Sequence, residues 1–188
     1  GSALVSYTLG TGDKEKANRY FSMLVYFTIL AGILLTVLGI IFVRPIAELF
    51  GADESMMDTC VLYGRIVIAF NAAFMLQNIF QSFFVVAEKP RLGLIVTIAA
   101  GVTNMVLDAL FVGVFKWGIV GAALATGISQ SIGGLLPLLY FALPNNSPLQ
   151  LTRTGFELAP LLKASSNGCS ELMSNVASSL IGIVYNYQ

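Results

Sequence analysis

Histidine is missing from this 188-residue sequence, and charge is scarce: ten Lys and Arg and ten Asp and Glu make up 11% of the chain. Without histidine, proton chemistry in these residues falls to carboxylates. Two cysteines, Cys60 and Cys169, show no metal-ligand spacing. The Gly-rich "LGTGD" near the start lacks the strand and the Lys of a phosphate loop, which excludes nucleotide binding. Basic residues are too few for a nucleic-acid surface. With no nucleophile elbow and no metal cluster, the chain reads as no enzyme, with no catalytic residue, no bound cofactor and no metal beyond a possible Na+.

What is abundant is apolar: 56% of residues are hydrophobic and the mean hydropathy is +0.82. A soluble domain carries roughly a quarter charged residues, more than twice the fraction here. The charges are also gathered between long uncharged runs. Tyr20 to Val43 is charge-free for 24 residues, Ile66 to Ala87 for 22, and Leu92 to Phe115 is interrupted only by Asp108. Trp117 to Thr152 has no charge, with its helical part ending near Leu143 before "PNNSP". Ala164 to Gln188, more polar and containing Glu171, is a fifth candidate. About 20 apolar residues cross a bilayer as a helix, and continuous runs favour helices over alternating barrel strands. The expected fold is an all-α polytopic membrane bundle of about five transmembrane helices plus the tail of another. "GSALVSYTLG" reads as the last turns of an earlier span and "IVYNYQ" stops inside the fifth run, so the chain is expected to be a piece of a longer protein.

Loop charge sets orientation. Lys14, Lys16, Arg19, Lys89, Arg91, Arg153 and Lys163 flank one side of the spans, against Arg44, Arg65 and Lys116 on the other. Seven against three places the first side in the cytoplasm. By this topology Cys60 and Cys169 lie at opposite membrane edges and cannot bridge.

The stretch "GVTNMVLDALFVGVFKWG" then raises a chemical question, because it buries a carboxylate in hydrocarbon. Asp108 precedes Lys116 by eight residues, on the order of 12 Å along a helix. Such a group is expensive unless protonated, paired or facing water, and is commonly functional. Thr97, Gly101, Asn104 and Asp108 share one helical face. Thr126, eight residues after Gly118 on the returning helix, reaches a similar depth, with Gly121, Ala122 and Ala125 small enough for close approach. Asp108, Asn104 and Thr126 are thus a candidate cation or proton site. An interhelical hydrogen-bond network is the structural alternative. Glu171 is a possible second carboxylate, or a solvated one near the interface. Asn71, Asn78 and Gln81, with Phe74 and Met75 nearby, are candidates for a substrate cavity or for helix-helix hydrogen bonds. Pro137 removes a backbone donor and is a possible hinge.

Four ordered blocks resemble a known family. "SYTLGTGDKEKANRYF", "FFVVAEKPRLGLI", "NMVLDALFV" and "GIVGAALATGISQ" are similar to successive segments of the multidrug and toxic compound extrusion (MATE) transporters, and "SNGCSELMSNVASSLIGIVYN" resembles the start of the family's seventh helix in bacterial members. The resemblance covers essentially the whole chain. It implies a twelve-helix, two-lobe antiporter in the cell membrane, with residues 1–143 as the first lobe from the end of helix 2 through helix 6. Residues 144–163 would be a cytoplasmic linker and residues 164–188 the start of the second lobe. It further implies export of cationic or amphipathic compounds against Na+ or H+, with Asn104, Asp108 and Thr126 matching the family's cation site. The family's first-helix Asp has no counterpart in these residues.

Two other functions are weighed beside export. A lipid-linked oligosaccharide flippase of the same superfamily would need a basic cavity, and no span has Lys or Arg at its middle. A non-transporting structural membrane subunit fits composition alone. The expected partners are a small organic substrate and the lipid bilayer, with no nucleic acid and no nucleotide.

Overall fold

The computed structural model describes residues 1–49, 54–155 and 157–186. Among them are seven α-helices and no strand: α1 (Ser2–Gly10), α2 (Lys14–Leu49), α3 (Glu54–Ala69), α4 (Asn71–Val86), α5 (Pro90–Asp108), α6 (Gly118–Ala142) and α7 (Leu158–Asn186). A π-helical turn, Ala109–Val114, continues α5.

The punctuation has local causes. Asp13 starts α2 by accepting the Lys16 N–H at 3.0 Å, satisfying one of the amides a helix start leaves open. Helix α4 ends with Glu88 at φ 57°, where the Glu88 N–H reaches the Val85 carbonyl and the Lys89 N–H reaches Phe84. That is a Schellman closure made without glycine, and Pro90 at the first position of α5 then restarts the helix.

Helices α2, α5 with its π turn, and α6 are each long and apolar enough to cross a membrane. Helices α3 and α4 are long and apolar enough only when taken together, and the pair is bent by 42° at the break between them. The bend falls at Phe70, between Ala69 and Asn71, so the uncharged run from Ile66 to Ala87 comprises the end of α3 and all of α4. The Phe70 ring presses on Gly127 of α6, where a Cβ would stand 2.1 Å from Cδ2. Only glycine leaves room for that ring. Helix α6 runs unbroken through the buried Pro137. Helix α7 begins at Leu158, inside the residues expected as linker, leaving 143–155 and 157 irregular among the described residues before it.

One end of the bundle gathers the start of α2, the end of α4, the start of α5 and the end of α6. This basic end carries Lys14, Lys16, Arg19, Lys89 and Arg91. It also holds the core: Phe21, Phe80, Phe83, Phe84 and Phe141 are buried together with Leu76, Leu149 and Leu161. Elsewhere large apolar side chains such as Leu30, Ile33 and Ile41 of α2 or Ile95, Ile98 and Met105 of α5 face outward. In lipid that is the ordinary place for them.

Candidate functional site

Helix α4 has two faces with different contents. Leu76, Phe80, Phe83 and Phe84 recur at helical spacing and are buried in the core. Phe74, Gln77, Asn78 and Gln81, at i, i+3, i+4 and i+7, line a groove of about 380 Å³. Helix α5 supplies Thr97, Ala100, Gly101 and Asn104 to it, and α6 supplies Thr126, Ser129 and Gln130. Each set repeats with the period of one helix face. The lining holds five side-chain amides and three hydroxyls and no ionisable group.

Two rungs tie the helices across this groove. Gln81 Nε2 donates to Thr97 Oγ1 at 3.5 Å, and Asn104 Nδ2 donates to Thr126 Oγ1 at 3.4 Å. Both are long bonds between exposed groups. Thr97 also donates back to the Gly93 carbonyl at 2.9 Å, and Asn78 to the Phe74 carbonyl at 2.8 Å. Several groove groups are therefore held by their own helix rather than across the bundle.

Of the residues expected at the site, Asn104 and Thr126 are brought together by the bond between them. Asp108 stands one turn beyond Asn104, at the end of α5, and is not bonded to either. Its Oδ1 is buried and has no hydrogen-bond partner, and the backbone changes from α to π immediately after it. An unpartnered buried polar atom costs about 1–3 kcal/mol, more when charged. Single π turns concentrate at functional positions. Asp108 thus leaves an unpartnered carboxylate oxygen one turn from the bonded Asn104–Thr126 pair. Among the described residues no group of three His, Cys, Asp or Glu could hold a metal ion.

Of the residues read as candidates for a substrate cavity, Phe74, Asn78 and Gln81 line the groove, and Asn71 and Met75 lie outside its lining. Asn71 Nδ2 points to Met75 Sδ at 3.7 Å, and Met75 lies against Gly32 of α2. Both belong to the α2–α4 seam. Glu171 is on α7, and its side chain lies outside the described residues. Gln77, Ser129 and Gln130 were missed by sequence reasoning. Their signal was spacing: Gln77 precedes Gln81 by four, and Ser129 and Gln130 follow Thr126 by three and four. Cys60 and Cys169 are both free thiols.

Comparison with known proteins agrees with this architecture. The family model named MatE matches residues 1–110. Multidrug export protein MepA of Staphylococcus haemolyticus (strain JCSC1435) is 26% identical over 147 residues, covering 78% of this chain and 32% of its own length. Probable multidrug resistance protein YoeA of Bacillus subtilis (strain 168) is 29% identical over 157 residues, covering 81% of this chain and 34% of its own length. A solved multidrug resistance MATE family transporter of the MOP superfamily, in its inward-facing conformation, superposes with a TM-score of 0.78 at 18% identity, over 85% of this chain and 37% of that one. The chain thus spans about a third of the length of the curated relatives it matches. Long apolar helices, a groove between them and a family model covering more than half the residues agree: the chain is a multi-pass membrane protein and belongs to the MATE family.

Proposed function

We propose that this chain carries the cation-coupled lobe of a secondary antiporter that exports cationic or amphipathic small molecules in exchange for Na+ or H+. The observation that carries the reading is the unpartnered buried oxygen of Asp108, one turn from the Asn104–Thr126 rung that closes the groove. The multidrug export and resistance named for MepA and YoeA support the substrate class.

In this reading Asp108 takes up the coupling ion, and its charge is neutralised. Asn104 shares the face of α5 with Asp108 and bonds to Thr126, so a change at Asp108 reaches the groove wall through that rung. The groove holds substrate by dispersion from Phe74 and by adaptable amides. Its neutral lining suits an amphipathic cation, which brings its charge toward the uncompensated Asp108, and opposes an anionic lipid-linked sugar, which needs Lys or Arg. Pro137 and the bend at Phe70 are the places where the spans give.

Ethidium efflux tests this, measured from cells or proteoliposomes carrying the native transporter under a Na+ gradient, a proton gradient or neither. Efflux should require one gradient and fall to the vector-only level in Asp108→Asn at unchanged membrane amount. Efflux unaffected by that change would remove Asp108 from the mechanism, and gradient-independent behaviour towards every cationic dye would end the antiporter reading.

A further inference from the structure

The connector that follows α6 does not hang free. Leu149 is fully buried, and the Leu151 N–H donates to the Phe141 carbonyl at the end of α6. The next residues lie along α2. Asn18 Oδ1 accepts the Gln150 N–H at 3.0 Å, Ser22 Oγ accepts the Thr152 N–H at 2.7 Å, and Tyr26 O–H donates to the Thr152 carbonyl at 3.4 Å. Asn18, Ser22 and Tyr26 stand at i, i+4 and i+8, one stripe of α2. The neighbouring stripe, Arg19 and Met23, reaches Glu157: Arg19 pairs with its carboxylate and Met23 Sδ lies 3.4 Å from its N–H.

Ser22 is what distinguishes this contact from ordinary packing. Thr8, Thr28, Thr97, Thr103, Ser131 and Ser178 each donate to the carbonyl four residues earlier in their own helix. That is the usual way a hydroxyl is satisfied inside lipid. Ser22 is fully buried, yet its bonds go to Thr152, on the connector. The start of α2 is therefore fastened to the end of α6 by a short segment that is anchored by the buried Leu149 and held along α2 by polar bonds.

The fastening is also built to be exchanged. The side chains of Arg19 and Glu157 are 51% and 46% exposed, where an ion pair is weak and screened by salt. Asp13, Glu15 and Lys16 line the same cavity of about 280 Å³ as Arg19, Tyr20 and Glu157. Each member of the pair thus has substitute partners of opposite charge beside it, and the freed backbone groups at this end have water. Helix α2 is a single 36-residue helix, and Gly32, which meets Ala72 of α4, lies about 15 Å along it from Ser22. A tilt at the fastened end is carried to the helix that lines the groove.

We propose that the connector is a releasable strap: residues 149–152 and Glu157 clamp α2 to α6 and close the basic end of the bundle, and lifting of the strap from Ser22 opens that end during transport. The inference rests on the transport reading for its purpose, and on Ser22, Asn18 and the Arg19–Glu157 pair for its mechanics.

Two measurements in the native transporter, with Cys60 and Cys169 replaced by Ser, decide it. In the first, a disulfide between Ser22→Cys and Thr152→Cys locks the strap. Dye efflux should be lost on oxidation and return fully on reduction, whereas full efflux with the disulfide shown to be formed would overturn the proposal. In the second, a membrane-impermeant maleimide added on the basic side labels Ser22→Cys alone. Labelling should be slow, rise several-fold with Glu157→Gln, and fall back when Arg19→Glu is combined with Glu157→Arg. Labelling that ignores these charges means a fixed strap and sinks the idea. If the unmodified transporter moves no dye, the transport reading fails by itself, and the labelling still decides whether the strap lifts.

Discussion

At the basic end, α2, α4 and α6 meet through aromatic rings. Phe141 of α6 contacts Phe21 at 5.0 Å, Phe84 at 5.3 Å and Phe80 at 5.7 Å between centroids, and Phe21 meets Phe83 at 4.7 Å. On the opposite face of α4, and roughly three to four turns along α6 from Phe141, the two helices meet α5 instead, through Gln77, Asn78, Gln81, Asn104, Thr126 and Ser129, around an open groove. Between membrane helices the water-driven term is small and close packing does most of the work. Interlocked rings fill space and admit nothing, so they seal and stabilise. Amides and hydroxyls make bonds of 3.4–3.5 Å across the groove, which are easily exchanged for a ligand's. Helix α4 therefore serves stability on one face and recognition on the other, and α6 divides the two roles along its length.

Removing rings should separate the two regions most sharply. Phe141→Ala strips a fully buried side chain out of at least four ring contacts, and is expected to cost roughly 3–5 kcal/mol of stability. Thermal unfolding in detergent would show it, while efflux per folded molecule should change little. A variant that stays folded but stops transporting would move function into the aromatic end and break the distinction. Next in size is Gly134→Ala. A Cβ there meets the Ala73 carbonyl oxygen at 2.7 Å, and since that is backbone it cannot swing aside, so overpacking should cost about 1–3 kcal/mol. A melting temperature equal to the parent's would show that α6 can shift off α4 freely.

The spans and much of the polar face that lines the groove were legible in the sequence, through Thr97, Gly101, Asn104, Thr126, Asn78 and Gln81, whereas the ring cluster around Phe141 was not. Charge-free runs located the spans, because a bilayer excludes charge over a fixed length and the sequence records that directly. Asn104 and Thr126 were legible because a tight "FKWG" turn pins α5 and α6 in antiparallel register. The break at Phe70 was not, since it arises from a ring meeting Gly127 nearly 60 residues away, with neither Gly nor Pro at the bend itself. The π turn after Asp108 was hidden for a similar reason: hydropathy is blind to one residue of extra winding. Asn71 matched Asn78 in spacing but sits at the first residue of α4, where it turns to Met75. Gln77 and Gln130 gain a place only once α4 and α6 stand around a shared groove.

Two smaller effects sharpen the comparison. Asn104→Ala removes one weak interhelical bond, and double-mutant experience in membrane bundles puts such bonds at about 0.6 kcal/mol, with a maximum near 1.7. Stability should barely move while dye efflux falls steeply, the reverse of Phe141→Ala. A large drop in melting temperature would instead make the groove part of the scaffold. Smallest of all is Arg19→Gln at the surface of the basic end. Its ion pair with Glu157 is half exposed, so its removal should cost under about 1 kcal/mol. The difference from the parent should shrink further as salt rises and the Debye length falls from about 10 Å at 0.1 M to about 3 Å at 1 M. Melting curves at the two salt concentrations read this directly. A gap that persists at high salt would mean that the aromatic seal depends on the connector above it, so that the basic end is one cooperative unit from Phe141 to Glu157 and not a rigid core beneath a separable strap.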